Sequence, residues 1–386
     1  MRVEGGSGGG AGTRTSAQPL LIGSEIFRGS SYGDWHPLRI PRVSTVLDLS
    51  RALGWLPEGR YRTSPRAKAA ALTGFHTPAY LAALQRAEAE GSVDAATRAR
   101  HGLGTPSNPV FAEVWRRPAT AAGGSLLAAE LMMAPGGPAR VHNPAGGTHH
   151  GLPDRASGFC YINDAVLAIR AMLRLGAERV AYVDIDAHHP DGVELAFRGD
   201  PRVLMISLHE EGRWPRTGAL EDAGTGNVFN LPLPRGSGDA AMLAALDTLI
   251  GPRVEAHRPG AVVLQCGADA VEEDPLSGLA CSNGAHLAVL RALMGIAPRL
   301  LVLGGGGYNP WSVGRLWTSV WGTLSGQAIP ERLPEAAEAV LRGLVWERAR
   351  AGRAPPERWF TTLLDPPRPG KVGAEVRARI ATLARR

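Results

Sequence analysis

Apolar and polar positions along the chain alternate in blocks that predict strands and helices in turn, most regularly after residue 160. Short β-branched runs predict strands at 179–186, 202–208, 261–266 and 299–303, and apolar residues at helical spacing predict helices at 163–175, 240–257, 286–293 and 312–324. The predicted strands are apolar on both faces, as in a parallel sheet covered by helices on both sides. The pattern therefore predicts an α/β protein with a mainly parallel sheet flanked by helices.

The first 150 residues are less regular, with helices predicted near 43–54, 66–72 and 77–91. No internal repeat or shift in composition divides the chain beyond its N-terminus, so residues 18–386 are predicted to form a single domain. Residues 1–17, rich in Gly and Ser, are predicted to form a flexible tail.

Composition narrows the class of protein. The hydrophobic content of 44% is ordinary for a globular protein with a sizeable core, and no apolar run is long enough to span a membrane. The N-terminus has no apolar segment of the kind a signal peptide needs. The three cysteines, Cys160, Cys266 and Cys281, have no paired spacing and are predicted to be buried thiols in a reducing compartment. Together these features predict a cytoplasmic protein that does not bind membranes.

The net charge of +6 is carried almost wholly by arginine, because Lys68 and Lys371 are the only lysines. The arginines are scattered, without a run of five and without interleaved aromatic residues, so the sequence favours a solvated basic surface over a nucleic-acid-binding site. The basic C-terminal stretch, which includes Arg377, Arg379, Arg385 and Arg386, predicts an amphipathic surface helix.

Polar clusters follow three of the predicted strands. DIDAHHPDG follows the strand that begins at residue 179, GAD follows the strand at 261, and GGGGY follows the strand at 299. Ligands bind outside the carboxyl ends of the strands in open parallel sheets. The three clusters are therefore predicted to meet in one pocket.

Two of these clusters hold a candidate metal site. Asp186 and His188 point the same way at one strand end, and Asp269 comes from another, which gives three ligands and an open position, as in catalytic zinc sites. Iron(II) is compatible with the same ligands. The Asp-x-His pair alone is more typical of a capped turn than of a metal site, and it is Asp269 at a second strand end that favours the metal. A two-metal centre is disfavoured because Pro190 and Val271, two residues beyond His188 and Asp269, cannot ligate.

Candidate proton-transfer groups lie near these ligands. His149 and His150 are adjacent in a glycine-flanked loop, and Asp184 and Asp191 are candidates to orient them. A carboxylate on one ring nitrogen raises the basicity of the other, which suits a general base acting on water. An exposed histidine pair is an equally good explanation of the spacing alone. Tyr308 follows four glycines that lack the lysine of a phosphate-binding loop, and it is a candidate hydrogen-bond donor to a developing oxyanion.

Four segments in combination resemble the histone deacetylase superfamily, and in particular the bacterial acetoin utilization proteins: HNPAGGTHHGLPDRASGFCYIND, VAYVDIDAHHPDGVE, VVLQCGADA and LVLGGGGYNPW. GDWHPLRIPRV, HGLGTPSNPVF and DPLSGLACSNGAH extend the resemblance to about residues 22–345. It implies the arginase/deacetylase fold, with a mainly parallel sheet of about eight strands. It also implies a zinc-dependent amidohydrolase that removes acetyl groups from the ε-amine of lysine in proteins and releases acetate.

The resemblance also implies roles for individual residues. The zinc ligands would be Asp186, His188 and Asp269. His150, paired with Asp191, would be the main general base, and His149, paired with Asp184, would be its electrostatic partner. Tyr308 would polarise the acetyl carbonyl. The substrate tunnel would be lined by Gly158, Phe159 and Trp214, the acetate channel by Arg42, and a structural K⁺ site by Asp184, Asp186, His188, Ser207 and Leu208.

Several positions depart from the family pattern. Pro190 replaces a usual glycine just before Asp191, which puts the position of that carboxylate in doubt because proline fixes φ. The rim loop HEEGRWPRTG has Trp214 where phenylalanine is usual and Arg216 where glycine is usual, and Ser107 stands where an acidic residue would clamp the substrate backbone.

These departures leave alternatives to a protein deacetylase. One is a deacetylase of small acetylated amines such as acetylpolyamines, with Glu210 or Glu211 of the rim loop gripping a free amine. Another is a catalytically weak relative that binds acyl-lysine or a protein partner.

Overall fold

The structure is a computed structural model, and it describes residues 18–29, 32–33, 36–346, 354–368 and 370–386. The predicted flexible tail, residues 1–17, lies outside the described residues. No helix among the described residues is both long enough and apolar enough to cross a membrane.

A single sheet of eight parallel strands forms the centre of the structure. The strands are β1 (Leu20–Gly23), β2 (Tyr61–Thr63), β3 (Arg140–Asn143), β4 (Val180–Asp184), β5 (Val203–Glu210), β6 (Val228–Leu233), β7 (Ala261–Gln265) and β8 (Leu300–Leu303). Their order is β2-β1-β3-β8-β7-β4-β5-β6, and every neighbouring pair is parallel. The predicted fold class, an arginase/deacetylase α/β fold, is confirmed.

Helices cover the sheet and its ends. They are α1 (Val43–Ala52), α2 (Ala69–Leu72), α3 (Pro78–Glu90), α4 (Ala95–His101), α5 (Arg116–Met133), α6 (Asp164–Arg174), α7 (Asp191–Phe197), α8 (Asp239–Ala245), α9 (Gly251–His257), α10 (Asn283–Ile296), α11 (Pro310–Leu324), α12 (Glu335–Arg342), α13 (Arg358–Thr361) and α14 (Ala374–Ala384). A π-helical segment, Leu246–Ile250, joins α8 to α9 within the helix predicted at 240–257. α14 is the predicted C-terminal helix.

Both faces of the sheet are buried, as the continuous apolar strands predict. Along β7, Val262 and Leu264 belong to the core on one face, whereas Ala261 and Val263 belong to the core on the other. All four are fully buried, and full burial of a Val or Leu side chain stabilises a fold by roughly 1.5–3 kcal/mol. This double burial is what holds a short parallel strand in the middle of the sheet.

Four adjacent strands define the functional edge of the sheet. β3, β8, β7 and β4 are neighbours in that order, and because all are parallel their carboxyl ends meet at the same edge. The segments that follow them, 144–150, 304–308, 266–269 and 185–191, together with Asp184 at the end of β4, contain all of the predicted metal ligands and proton-transfer residues.

Candidate active site

The three predicted metal ligands lie together at this edge. Ligand atoms of Asp186, His188 and Asp269 are all within 4.8 Å of one another. The Nδ1 atom of His188 lies 2.8 Å from Asp269 Oδ2 and 3.3 Å from Asp186 Oδ1. Two carboxylates and an imidazole nitrogen that face a common point form a donor set that suits zinc or another transition-metal ion.

Backbone amides fix the two carboxylates in place. Asp186 accepts hydrogen bonds from the amides of Gly306 (2.7 Å) and His188 (3.0 Å), and Asp269 accepts one from the amide of Ala187 (3.0 Å). The backbone approaches so closely that a Cβ atom on Gly306 would lie 2.0 Å from Asp269 Oδ2. The glycine run before Tyr308 therefore serves close approach to the ligands.

The electrostatics of the cluster call for a cation. Asp186 and Asp269 are fully buried. Burial and the neighbouring charge of Asp186 raise the pKa of Asp269. Burial opposes charging of His188, but its hydrogen bonds to both carboxylates outweigh burial and raise its pKa to about 10. Excess negative charge among buried carboxylates is what a divalent ion neutralises, so the residues present fit a metal ion.

Two histidine–carboxylate pairs stand beside the ligands. His149 Nδ1 lies 2.8 Å from Asp184 Oδ2, His150 Nδ1 lies 2.7 Å from Asp191 Oδ1, and the two Nε2 atoms are 2.9 Å apart. With Nδ1 of each ring donating to its carboxylate, the two Nε2 atoms point away from the carboxylates and toward each other. His150 lines the main cavity, whereas His149 lies behind it.

The pairs differ in charge state. Burial opposes charging of His149, but Asp184 and Asp186 outweigh it and raise its pKa to about 9. Burial, reinforced by the charge of His149, lowers the pKa of His150 to about 3. The ring next to the cavity is therefore the neutral one, which is the form that accepts a proton.

The loop that carries the histidines is held by the start of α6. Asp164 accepts hydrogen bonds from the amides of Gly147 (3.0 Å) and Thr148 (2.8 Å). Asn163, the N-cap of α6, donates to the carbonyl oxygens of His149 (3.1 Å) and Gly151 (3.0 Å). The tandem histidines are thus buried and anchored, which removes the alternative of an exposed pair.

Pro190 does not displace Asp191. The amide of Asp191 donates to the carbonyl of His189 (2.9 Å), and its carboxylate stays in contact with His150. Asp191 is the first residue of α7, and proline is well tolerated immediately before a helix because its missing N–H would have had no helical partner.

Tyr308 completes the inner end of the main cavity, which it lines together with His150 and His188. Its amide donates to Asp274 Oδ2 at 2.6 Å, which fixes the backbone at this point. Burial, reinforced by the charges of Asp269 and Asp186, raises the pKa of Tyr308, so its hydroxyl stays protonated and able to donate.

The main cavity has a volume of about 820 Å³ and opens from these groups to the surface. Gly158, Phe159 and Trp214, the predicted tunnel residues, all line it. Phe159 has the left-handed φ of 67°, uncommon for a bulky residue, and its amide donates to the buried side chain of Asn108 at 3.0 Å. Trp214 packs edge-on against His150, with ring centroids 4.6 Å apart.

The acidic residues of the rim are already engaged. Glu210 is buried, forms an ion pair with Arg213, and accepts a hydrogen bond from the amide of Gly278 at 2.7 Å. Glu211 lies 2.8 Å from Arg379. Ser107 lines the cavity but has no charge. The rim therefore offers no uncommitted carboxylate from either glutamate for gripping a free amine.

Arg42 lies behind the site rather than in the main cavity. Its guanidinium donates to the carbonyl of Gly305 at 2.7 Å and stacks 5.1 Å from the ring of Trp317. It lines a separate small cavity of about 60 Å³, which it shares with Arg117 and with one side of Phe159.

The residues predicted to bind K⁺ are also neighbours. Asp184 of β4 is paired in register with Ser207 of β5, and Leu208 follows it, all three being buried. The side chain of Ser207 contacts His209 Nδ1 at 2.9 Å. A K⁺ site here stays a prediction.

Some residues of the site had no signal in the sequence pattern. Asn108, Asp164 and Asp274 each position a functional loop through backbone amides. Buried carboxylates are uncommon unless paired. Of these three residues, Asp164 in the YIND segment could have been recognised, because it is an acidic residue surrounded by apolar ones in the sequence.

A parallel sheet with a single-ion ligand set and paired histidines at its carboxyl edge defines a hydrolase of the arginase/deacetylase class. The histone deacetylase domain model matches residues 36–324. The acetoin utilization protein AcuC of Bacillus subtilis is 33% identical over 319 residues, covering 80% of this chain and 82% of AcuC. Histone deacetylase 3 of Oryza sativa is 38% identical over 314 residues, covering 78% of this chain and 60% of the rice protein.

Solved structures agree with these relatives. An HDAC homolog from Aquifex aeolicus matches with a TM-score of 0.90 and 34% identity, covering 95% of this chain and 100% of that chain. An HDAC homolog complexed with SAHA matches equally well, also with a TM-score of 0.90. The chain belongs to the histone deacetylase family, and it is a deacetylase, a hydrolase of amide bonds. The predicted family is confirmed.

Proposed function

We propose that the protein is a metal-dependent amidohydrolase that removes acetyl groups from the ε-amine of lysine side chains in peptides or proteins and releases acetate. The observation that carries this proposal is the convergence of Asp186, His188 and Asp269 beside two histidine–carboxylate pairs, at the end of a cavity that opens to the surface.

Asp186, His188 and Asp269 would hold the ion, with Zn²⁺ the expected metal and Fe²⁺ compatible with the same donors. A bound Zn²⁺ supplies Lewis-acid polarisation of the acetyl carbonyl and lowers the pKa of a coordinated water.

The chain's own residues supply the proton transfers. His150 lines the cavity, and Nε2 is its acceptor nitrogen because Nδ1 donates to Asp191, so His150 takes the proton from the attacking water. His149, held positive by Asp184, stabilises the negative charge that develops and sets the basicity of its neighbour. Tyr308 donates its phenol proton in a hydrogen bond to the acetyl oxygen. His150 then returns the proton to the departing amine.

The remaining walls bind and sort the substrate. Phe159 and Trp214 present apolar surface to the methylene chain of the lysine, and Gly158 leaves room for the Trp214 ring, which a Cβ atom there would approach to 2.3 Å. Arg42 lines the small cavity behind the site and is assigned there to the acetate product, whose charge it matches. The HDAC homolog that was solved in complex with SAHA supports the proposal that this chain binds a ligand resembling an acetylated substrate. Asp184, Asp186, His188, Ser207 and Leu208 are proposed to hold a structural K⁺.

Acetylpolyamines fit the described cavity less well, because the arginine partners of Glu210 and Glu211 occupy the carboxylates that would bind a second amine. A role limited to binding acyl-lysine is not favoured, because every proton-transfer residue is in place.

The test combines metal analysis with acetate release. The purified protein, reconstituted with Zn²⁺, is expected to hold one ion per chain and to release acetate from a neutral fluorogenic acetyl-lysine peptide. Asp269→Ala is expected to lose the bound ion and to have a kcat at least 10³-fold lower than that of the wild type. The reason is that Asp269 is the one proposed ligand that follows β7, whereas the other two follow β4. Asp222→Ala, a change on the exposed loop before β6, is the matched control and is expected to keep both.

Acetate release at the wild-type rate by metal-free Asp269→Ala protein would overturn the mechanism. A wild-type protein that binds one ion but releases no acetate would leave the binding role as the better account.

A further inference from the structure

The charges around the mouth of the main cavity are unevenly balanced. Three arginines and two glutamates line it: Arg155, Arg213, Arg216, Glu210 and Glu211. Arg213 forms an ion pair with the buried Glu210, and Glu211 forms one with Arg379 of α14. The negative charges of the rim are therefore both matched by arginine.

Two arginines are left without a carboxylate partner among the described residues. Arg155 is exposed, and its Nη1 donates to the carbonyls of Ala99 (2.8 Å) and Arg100 (2.9 Å) in the last turn of α4. These bonds hold the guanidinium at the rim without neutralising it. Arg216 is exposed on the opposite loop, and its backbone amide donates to the carbonyl of Arg213 at 2.7 Å.

Arg216 also occupies a strained backbone position. Its φ is 65°, in the left-handed region that glycine adopts freely and other residues adopt only with backbone strain. Among the described residues only Phe159 and Arg258 share this feature without being glycine, and Phe159 lines the same cavity. Glycine would adopt this conformation without strain. The presence of arginine here instead points to a function for its side chain.

We propose that Arg155 and Arg216 form an anion-recognising rim, so that the preferred substrate is an acetylated amine that carries a carboxylate near the mouth of the cavity. This inference rests on the proposed function and assigns its substrate class. The carboxylate has two sources, an acidic side chain that flanks acetyl-lysine in a peptide and a small acetylated amino acid.

The same rim disfavours substrates that carry a second cation. Like charges at the mouth repel a free ammonium, and the carboxylates that would otherwise attract it are paired with arginine. Because the rim is open to solvent, salt should weaken this selection, whereas the buried catalytic groups should be little affected.

Two matched substrate pairs test the inference on the zinc-loaded enzyme. The first pair is an acetyl-lysine peptide flanked by aspartates and the same peptide flanked by lysines. The second is 6-acetamidohexanoate and N-acetylcadaverine, which differ mainly in the charge of the end group. At low salt the acidic member of at least one pair is expected to have a kcat/KM roughly tenfold higher, expressed mainly in KM, and 0.5 M NaCl should shrink the ratio to about twofold. A preference confined to the first pair assigns the carboxylate to peptides, and one confined to the second assigns it to small acids.

The variants isolate Arg216. Arg216→Gly removes the charge and relieves the backbone, so it should fold at least as well as the wild type while the preference falls about threefold. Arg216→Glu should abolish or reverse the preference. Arg174→Glu makes the same charge change at the far end of α6, on the opposite edge of the sheet, and should leave the preference unchanged.

Hydrolysis of a neutral acetyl-lysine peptide separates the two proposals. If that peptide is hydrolysed but neither pair shows a preference for its acidic member, or Arg216→Gly leaves the preference intact, the anion-recognising rim is refuted and the proposed function stands. If the neutral peptide and both pairs are left unhydrolysed, the proposed function fails and the inference fails with it.

Discussion

Single side chains in this site serve several partners at once, each through a different atom. Asp184 is the clearest case, because Oδ1 accepts the amide of Asp186 at 2.9 Å while Oδ2 contacts both His149 Nδ1 and the hydroxyl of Tyr182. One buried carboxylate therefore fixes a proposed metal ligand and a proton-transfer residue relative to each other. A shift of Asp184 would be felt in both.

Tyr308→Phe should separate metal binding from turnover. The change removes only the hydroxyl. Among the described residues, that hydroxyl makes no hydrogen bond to Asp186, His188 or Asp269, so metal content should stay at the wild-type level. Loss of a single oxyanion donor lowers kcat by about 10²–10³-fold. Metal analysis and steady-state kinetics on the same preparation measure both quantities.

Tyr61→Phe, at the edge strand β2, is the matched control and should keep wild-type kcat. Equal activity of the two variants would show that the hydroxyl of Tyr308 has no part in the reaction.

The residues proposed to carry the chemistry could be found in the sequence because aspartates, a histidine and a tyrosine are unusual directly after apolar strands, and because two adjacent histidines are unusual in a glycine-flanked loop. Residues that only position other residues could not be found in this way. Asn108 binds the amide of Phe159, 51 positions away, and Asp274 binds the amide of Tyr308, 34 positions away. A polar residue in a loop is common, and its partner is a backbone group that every residue has.

At the scale of loops and strands, the tunnel wall depends on one bridging side chain. Asn108 Oδ1 accepts the amide of Phe159, and its Nδ2 donates to the carbonyl of Ala156 at 3.3 Å. Asn108→Ala should release the strained Phe159 backbone, raise KM for an acetylated peptide and lower kcat/KM roughly tenfold, with metal content unchanged. Titration of rate against substrate concentration separates KM from kcat.

Asn108→Asp keeps an oxygen that can accept from Phe159 and should restore most of the affinity. An equal loss in the Ala and Asp variants would mean that the contact with Phe159 is not what matters.

The strands β4, β5, β7 and β8 were predictable because each is an apolar run within the regular alternation of strands and helices after residue 160. β1 and β2 are short and lie in the less regular first part of the chain, β3 has the polar sequence RVHN, and β6 contains an asparagine and a proline, so these four strands were not recognised. α5 was missed because it contains a proline and two adjacent glycines. Packing explains its composition, since a Cβ atom on Gly123 would lie 1.9 Å from the carbonyl oxygen of Pro65.

For the whole molecule, a buried neutral histidine links stability to pH. His142 in β3 is fully buried and lies 3.0 Å from the carbonyl of Val302, and burial lowers its pKa to about 4 from the ordinary 6.5. Its Nε2 has no hydrogen-bond partner among the described residues, so a second proton there would be unsatisfied.

The sign follows from this depression. The unfolded chain takes up a proton on His142 as the pH falls below about 6.5, whereas the folded chain resists until about 4, so stability is lost on acidification. His142 alone should cost about 2 kcal/mol in the free energy of unfolding between pH 7 and pH 5. Chemical denaturation at the two pH values measures it.

His142→Gln, which keeps a donor for Val302 but cannot titrate, should lose correspondingly less stability over the same interval. An identical pH dependence in the variant and the wild type would show that His142 does not contribute.

The position of β8 has a consequence for synthesis of the chain. β8 is the last strand to leave the ribosome, yet it lies between β3 and β7 in the middle of the sheet. A nascent chain that ends before Leu300 already contains all three proposed metal ligands and both histidines, but no strand yet pairs with both β3, which precedes His149, and β7, which precedes Asp269. We therefore expect hydrolytic activity only after β8 has been synthesised and has paired with both β3 and β7.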